Sequence, residues 1–206
     1  MVTALLTGFL LGLSLIVAIG AQNTFVLRQG IGGQHVFYVA LFCAVSDALL
    51  ISAGVVGISF FLNSFIGEIS HVLFGLSALW LTGYGIIRLR SAFKSEISLK
   101  IEISKSKNLV STLSTIAVLT FANPHVYLDT MVLIGTISQQ FYGVEKFLFA
   151  LGASIASFVF FFSLAYGAKL LTPIMQHAIA WRVLDFLIAV IMIVISIQLA
   201  SKGGWL

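Results

Sequence analysis

The chain of 206 residues is 60% hydrophobic, carries only 9% charged residues and has a net charge of +4. A soluble domain has about 25% charged and ~45–50% apolar residues, so this composition excludes an ordinary soluble protein and indicates an integral membrane protein. The basic residues lie in loops beside apolar segments, which favours positive cytoplasmic loops over nucleic-acid binding. The single cysteine excludes an intrachain disulfide and a two-cysteine redox centre.

Six apolar runs are long enough to cross a lipid bilayer as helices. The predicted spans are residues 3–28, 36–62, 70–88, 109–138, 145–171 and 182–201. Because they use nearly all of the chain, we expect a single transmembrane domain over residues 1–206 and no separate soluble domain. The predicted fold class is therefore all-α.

The first and fourth spans are each interrupted near the centre. The interruptions are Gly20-Ala21-Gln22-Asn23 and Asn123-Pro124-His125. Pro124 removes a backbone donor and clashes with the preceding turn, and the residue before a proline is pushed out of the α region. A broken helix persists in lipid only where protein or a water-filled cavity receives the freed carbonyl groups. We therefore expect both breaks to line a cavity at mid-membrane, as in many transporters.

Each interruption opens a group of three spans, so the chain is predicted to consist of two similar halves. Repeat one covers about residues 1–90, a hydrophilic linker about 88–108, and repeat two about 109–206. Since each repeat has an odd number of spans, the second must be inverted relative to the first. Nine of the 11 lysines and arginines fall on the linker side of this arrangement. This bias predicts a cytoplasmic linker with both termini outside, provided that the first segment spans fully.

Two acidic residues are predicted at membrane depth. Asp47 is about midway along the second span, and Asp129 lies just past the break in the fourth. An ionised carboxylate at the bilayer centre costs roughly 2.5–3.5 kcal/mol on insertion scales, so it faces the bundle interior and usually has a function. No lysine or arginine is placed at comparable depth, apart from Arg28 near the end of the first span. We expect both acids to bind a cationic substrate or to carry a proton; the alternative is a structural acid that caps an unwound segment.

Polar side chains at the two breaks supply further candidates. Asn23 and Asn123 can bind either freed carbonyl groups or the α-amino and α-carboxylate groups of a substrate, and both roles remain open. A half-helix N-terminus beside them favours a carboxylate. His125 is four residues before Asp129 and is a candidate proton relay, with a structural hydrogen bond as the alternative. Two candidates for the cavity lining are Tyr127 and Gln22.

No motif for nucleotide binding, metallopeptidase or serine-hydrolase chemistry occurs in the chain, and the remaining histidines form no metal-ligand constellation. We therefore expect no enzymatic activity and no cofactor. A divalent-metal exporter is the alternative transporter, although two well-separated acids are few for such a site. A structural or assembly protein would leave the two acids at membrane depth unexplained.

Small residues share a helix face in the first and fifth spans, which indicates close packing between helix backbones. The residues are Gly8 and Gly12 in the first span, and Gly152, Ala156, Ser163 and Gly167 in the fifth. We expect them to pack within one monomer, with a homo-oligomer as the alternative.

A central cavity is expected to be lined by spans one, two, four and five, between repeats that rock against one another.

Five motifs follow one another along nearly the whole chain, namely Gly8-x3-Gly12-x2-Leu15, Gly20-Ala21-Gln22-Asn23, Arg28-Gln29-Gly30, Cys43-x2-Ser46-Asp47 and Asn123-Pro124-His125-Val126-Tyr127-Leu128-Asp129. Together they resemble the LysE family of amino-acid exporters, most closely its arginine-exporter branch. The family usually has Gly-Pro-Gln-Asn in the first span. Because Ala21 replaces that proline here, the first break is expected to be milder or to depend on Gly20 alone.

The resemblance implies a secondary exporter of L-arginine, with L-lysine as a second candidate substrate, in the bacterial inner membrane. It implies drive by the proton gradient or by the membrane potential. The acid at Asp129 fits a cationic substrate side chain, in agreement with the unpaired charges predicted at mid-membrane.

Overall fold

The computed structural model describes residues 1–17, 20–61, 66–93, 108–171, 173 and 178–205, and these residues form eight long helices or half-helices, one short 3-10 helix (Ala168–Leu171) and no strand. The helices are α1 (Val2–Ile16), α2 (Ala21–Gly32), α3 (Val36–Phe61), α4 (Ile66–Ala92), α5 (Leu109–Phe121), α6 (Pro124–Ser138), α7 (Val144–Gly167) and α8 (Ala178–Lys202). The all-α prediction is confirmed for this part of the chain. Most of the predicted linker 88–108 lies outside the described residues.

Four of these helices, α3, α4, α7 and α8, are long and apolar enough to cross a membrane alone. Helices α1 and α2 reach that length only as a pair bent by 83°, and α5 and α6 only as a pair bent by 61°. The protein is therefore a multi-pass membrane protein with four helices that can span alone, or six spans if each bent pair counts as one. The predicted breaks in the first and fourth segments coincide with these two bends.

Helix α1 packs along α7 in parallel, with the two backbones in close approach. An added Cβ on Gly8 would lie 2.0 Å from the carbonyl oxygen of Phe149, and one on Gly152 would lie 2.1 Å from that of Leu5. These glycines therefore serve packing within the monomer, as the small-residue pattern predicted. Ser163 is exposed, so its assignment to the inward face was wrong.

Helices α4 and α8 lie antiparallel and form what we call the α4–α8 pair. The hydroxyl groups of Thr82 and Ser196 are 2.7 Å apart, and Ser196 Oγ donates to the carbonyl oxygen of Ala78 at 2.7 Å. Nearer the linker, Arg88 of α4 approaches Asp185 of α8. Interhelical hydrogen bonds of this kind replace the hydrophobic driving force that lipid does not provide.

The main helix contacts cross the boundary between the two predicted repeats. Helix α1 packs on α7, α3 packs on α6 and α7, and α4 packs on α8. The two halves of the chain are thus interdigitated and do not form two separate bodies, which argues against the rocking of one intact repeat against the other. The inverted relation between the repeats stays a prediction.

Candidate functional site

A cavity of about 60 Å³ lies where the two helix breaks meet the middle of α3. Its polar lining consists of Gln22, Asn23, Asp47, Asn123, His125, Asp129 and Thr130. Its described lining contains no lysine or arginine. The cavity therefore gathers the predicted candidates from both halves of the chain around two carboxyl groups. Spans one, two, four and five contribute as expected, and Leu81 of α4 and Ile195 of α8 add a further wall.

At the first break, α1 ends at Ile16 and α2 begins at Ala21, with Gly20 in an extended conformation (φ −110°, ψ −177°) as the N-cap. The freed carbonyl oxygen of Ile16 accepts a hydrogen bond from Asn23 Nδ2 at 2.8 Å. The side chain of Thr24 donates to the carbonyl oxygen of Gly20 at 2.9 Å. The side chain of Asn23 thus satisfies a carbonyl group that a continuous helix would have paired, whereas the carbonyl oxygen of Gly20 also accepts the backbone N–H of Thr24 at 3.0 Å.

The first break is not the milder one, because its bend of 83° exceeds the 61° at Pro124. The alternative, that it depends on Gly20 alone, stays a prediction. Ala21 is the first residue of α2. The N–H at this position has no acceptor within its own helix, so alanine and proline are both compatible with it. The break therefore persists without the proline that is usual in the family.

At the second break, α5 ends at Phe121 and α6 begins at Pro124, which occupies the same first-turn position as Ala21 does in α2. Asn123 is the N-cap in an extended conformation (φ −92°, ψ 106°), and its Oδ1 accepts the backbone N–H of His125 at 3.1 Å. The hydroxyl of Tyr127 donates to the carbonyl oxygen of Phe121 at 2.8 Å.

Tyr127 is absent from the described lining of the cavity. Its prediction as a lining residue is corrected accordingly. Its hydroxyl is directed back to the end of α5, where the break leaves a carbonyl group without a helical partner. In this position Tyr127 stabilises the break from outside the cavity.

Capping accounts for one of the two roles that remained open for Asn123. We expect Asn123→Ala to lower the free energy of unfolding by about 0.5–2 kcal/mol, because the first turn of α6 loses its side-chain acceptor. Asn123→Ser should retain most of the stability, since serine is a comparable N-cap. Chemical denaturation of the purified protein measures both. Normal stability but lost transport in the serine variant would assign the amide to substrate binding; equal stability of all three proteins would contradict the capping role.

The two predicted carboxyl groups lie in different surroundings. Asp47 is 3% exposed and accepts a hydrogen bond from Ser157 Oγ at 2.8 Å. Asp129 Oδ2 is 2.8 Å from Nδ1 of His125, so these two side chains share one helix face as predicted. Asp129 and Asp47 are also within electrostatic reach of each other. Asp47 is therefore held by the neutral hydroxyl of Ser157. Asp129 is paired with His125, which can gain or lose a proton.

Asp129 lies in a π-helical stretch, Leu128–Leu133, which the sequence pattern did not predict. π-helical turns inside α-helices are rare and occur frequently at functional sites. The wider turn changes the directions in which successive side chains leave the helix.

Gln22 is 5% exposed, lines the cavity and lies beside Cys43 and Asp47. Its amide nitrogen Nε2 is buried and has no hydrogen-bond acceptor within the described part of the chain. A buried donor left unpaired costs about 1–3 kcal/mol. Such a donor on a cavity wall is suited to an anionic or carbonyl group of a bound molecule.

A further set of buried charges was missed at the sequence level. Arg28 Nη2 of α2 donates to Asp185 Oδ1 of α8, and Arg88 Nη1 of α4 lies 3.6 Å from the same oxygen. Asp185 is 1% exposed. Arg88 is also held by Tyr84, whose hydroxyl accepts from Nη2 and whose ring centre lies 4.7 Å from the guanidinium carbon. A search for an acidic partner at the depth of Arg28 would have pointed to Asp185.

No group of three or more histidine, cysteine or acidic residues within the described ranges could hold a metal ion. The metal-exporter alternative therefore gains no support from these residues.

Comparison with known proteins gives a consistent result. The family model for LysE type translocators matches residues 13–203. The arginine exporter protein ArgO of Salmonella typhimurium is 38% identical over 203 residues, which are 98% of this chain and 96% of the relative. The proteins of the same name from Pectobacterium atrosepticum and Pectobacterium carotovorum are 39% identical over 200 residues (97% of both chains) and 38% identical over 205 residues (100% of both chains). No solved structure matches the chain.

Proposed function

Because the chain belongs to the LysE family of translocators, we propose that it exports basic L-amino acids, principally L-arginine and secondarily L-lysine, across the bacterial inner membrane. The relatives named as arginine exporters align with nearly its whole length. The observation that carries the proposal is an acidic cavity between the two helix breaks, with Asp47 and Asp129 in its wall and no lysine or arginine in its described lining. Such a site lacks a resident cation and suits a cationic substrate.

The two ends of an amino acid can be assigned to different parts of the cavity. Asp47 provides the counter-charge for the guanidinium group. The N-terminal turn of α2, which begins at the cavity, favours the α-carboxylate. The amide of Asn23 already bridges the first break, so in this conformation its role is structural.

The size of the cavity supports an alternating-access mechanism. A volume of about 60 Å³ holds a few water molecules, whereas pockets for small molecules measure about 300–1,000 Å³. Arginine can therefore bind only after the surrounding helices have moved apart. The conformation described here is a contracted one.

Proton exchange is the proposed source of energy. Moving a cation out of a cell against a membrane potential that is negative inside costs about 2.3 kcal/mol per 100 mV, so the potential alone opposes arginine export. Inward movement of a proton for each arginine removes that electrical cost. Asp129 and His125, joined at 2.8 Å, are the proposed proton carriers, with Asp47 exchanging its counter-ion between substrate and proton.

The geometry of α1 and α2 supports the six-span topology. The amino group of Met1 lies 2.9 Å from the Glu145 carboxylate at the start of α7, and an added Cβ on Gly30 would lie 2.2 Å from the carbonyl oxygen of Ala165 near its end. The bent pair thus follows α7 along nearly its whole length, as expected of a broken span. With six spans, the charge bias places the linker in the cytoplasm and both termini outside.

Transport by purified protein in liposomes tests this function. We expect efflux of labelled L-arginine that accelerates under an oppositely directed proton gradient. Unlabelled arginine, lysine, ornithine and canavanine should compete, whereas citrulline should not, because it has the shape of arginine without the positive charge. Absence of arginine flux would reject the substrate; equal competition by citrulline would reject the role of charge. An arginine flux that does not depend on the proton gradient would reject proton exchange but not the substrate.

A further inference from the structure

The α4–α8 pair forms one wall of the cavity. Leu81 and Ile195 line the cavity directly, and Ala21 at the start of α2 packs in an apolar cluster with Leu81, Ile188 and Met192. Apolar contacts of this kind are non-directional and allow two surfaces to separate and return. The pair is therefore positioned to cover the substrate site from one side.

At the end nearer the linker, charged side chains connect the α4–α8 pair to α2. Asp185 Oδ1 on α8 is bound both by Arg28 from α2 and by Arg88 from α4. The side chain of Asp185 is only 1% exposed, so these are shielded charges whose attraction is weakly screened. This ion pair connects α2 to the α4–α8 pair.

The arrangement lets the connection to α2 break without leaving Asp185 unpaired. Arg88 belongs to the same helix pair as Asp185 and is additionally held by Tyr84. Both arginines approach Oδ1, while Oδ2 accepts no hydrogen bond within the described part of the chain. If Arg28 withdraws, Arg88 can bind both carboxylate oxygens, and the buried acid keeps a cationic partner.

We propose that Arg28 and Asp185 form a latch, which holds the α4–α8 pair over the linker end of the cavity and opens once in each transport cycle to admit the substrate. The transport cycle rests on the proposed function, whereas the latch is a property of the helix packing. Arg28 is the exchangeable partner, and Arg88 remains with Asp185 in both states.

The chain contains its own reporter for this movement. Cys43 is the only cysteine and is fully buried. It lies on α3 one helical turn before Asp47, towards the end where α2 passes into α3, and beside Gln22 of the cavity wall. Cys43 packs among residues of α1, α2, α3, α5 and α7 and not against the α4–α8 pair. Separation of that pair from α2 would open the cavity, so a water-borne thiol reagent should then reach Cys43 from the side of Gln22.

The test is the rate at which N-ethylmaleimide alkylates Cys43 in membrane vesicles, measured from the mass of the intact protein. We expect Arg28→Gln to raise this rate at least fivefold, because the latch loses its charge. Arg88→Gln is the matched control: it removes the same group from the same carboxylate but leaves Arg28 on Asp185. Because opening would then leave Asp185 without a cationic partner, the rate should fall or stay unchanged and should not rise. An unchanged rate in Arg28→Gln, or an equal rise in both variants, would overturn the latch.

If Arg28→Gln does not accumulate in the membrane, Arg28→Lys replaces it in the test. Lysine keeps the charge but lacks the planar fork of arginine, so the expected rise is intermediate and a wild-type rate would overturn the proposal. Alkylation requires no arginine flux. Failure of wild-type arginine transport would therefore reject the proposed function and leave the latch to be judged by the alkylation rates.

Discussion

Replacement of Asp47 by asparagine should reduce arginine efflux by roughly 100-fold. Asparagine has nearly the same size and can still accept the hydrogen bond from Ser157, so the change removes the charge and little else. A cation at mid-membrane without a counter-charge is disfavoured by about 2.5–3.5 kcal/mol, and each 1.4 kcal/mol corresponds to a factor of ten. The initial rate of efflux from liposomes, at equal protein content, measures the effect.

Glu145→Gln is the matched control for this experiment. It is the same change from carboxylate to amide, but Glu145 is half exposed and pairs with the chain's amino terminus away from the cavity. Its rate should stay within twofold of the wild-type rate, because exposed ion pairs contribute little. A full rate of arginine efflux in Asp47→Asn would remove Asp47 from the proposed binding site.

Gly152→Ala should lower the stability of the protein more than Asn123→Ala does. The added Cβ would lie 2.1 Å from the carbonyl oxygen of Leu5 and 3.0 Å from the backbone nitrogen of Phe9. Backbone atoms cannot rotate out of the way as a side chain can, so α1 must move away from α7 along their shared interface. Overpacking costs typically 1–3 kcal/mol, and we expect the upper end, about 3 kcal/mol. At 2–4 °C per kcal/mol, the melting temperature in detergent should fall by roughly 6–12 °C.

Gly83→Ala makes the same chemical change on α4 where no atom lies within 4 Å of the new Cβ. Removal of a glycine from a helix interior is stabilising by roughly 0.5–1 kcal/mol, so this variant should melt at or slightly above the wild-type temperature. Equal melting temperatures for Gly152→Ala and the wild type would show that α1 and α7 are not as tightly packed as described here.

The positions of the helices and breaks could be predicted because their causes are local. Long apolar runs form spans wherever they occur, and Pro124 forces Asn123 out of the helical conformation regardless of its neighbours. The inward direction of Asp47 was also predictable, because the cost of a charge in lipid does not depend on which helix faces it. In each case the sequence around one residue contains the physical reason.

Features that depend on distant partners could not be predicted in this way. Asp185 and Arg88 lie near the ends of spans, where charged residues ordinarily face water, and their contact with Arg28 depends on how α2, α4 and α8 pack. No periodic pattern in the sequence predicts how these three helices pack. The hydrogen bond from Tyr127 to Phe121 likewise depends on the bend between α5 and α6, which sets where the freed carbonyl group lies.

The close approach of α1 and α7 has a consequence for biosynthesis. Helix α1 has 15 residues, so at 1.5 Å per residue it is about 22 Å long and falls short of a hydrocarbon layer of about 30 Å. Its glycines pack against residues 149–153, which the ribosome adds more than a hundred residues later. Helix α1 therefore enters the membrane before α7 has been synthesised. The chain reaches its final arrangement only after α7 has left the ribosome.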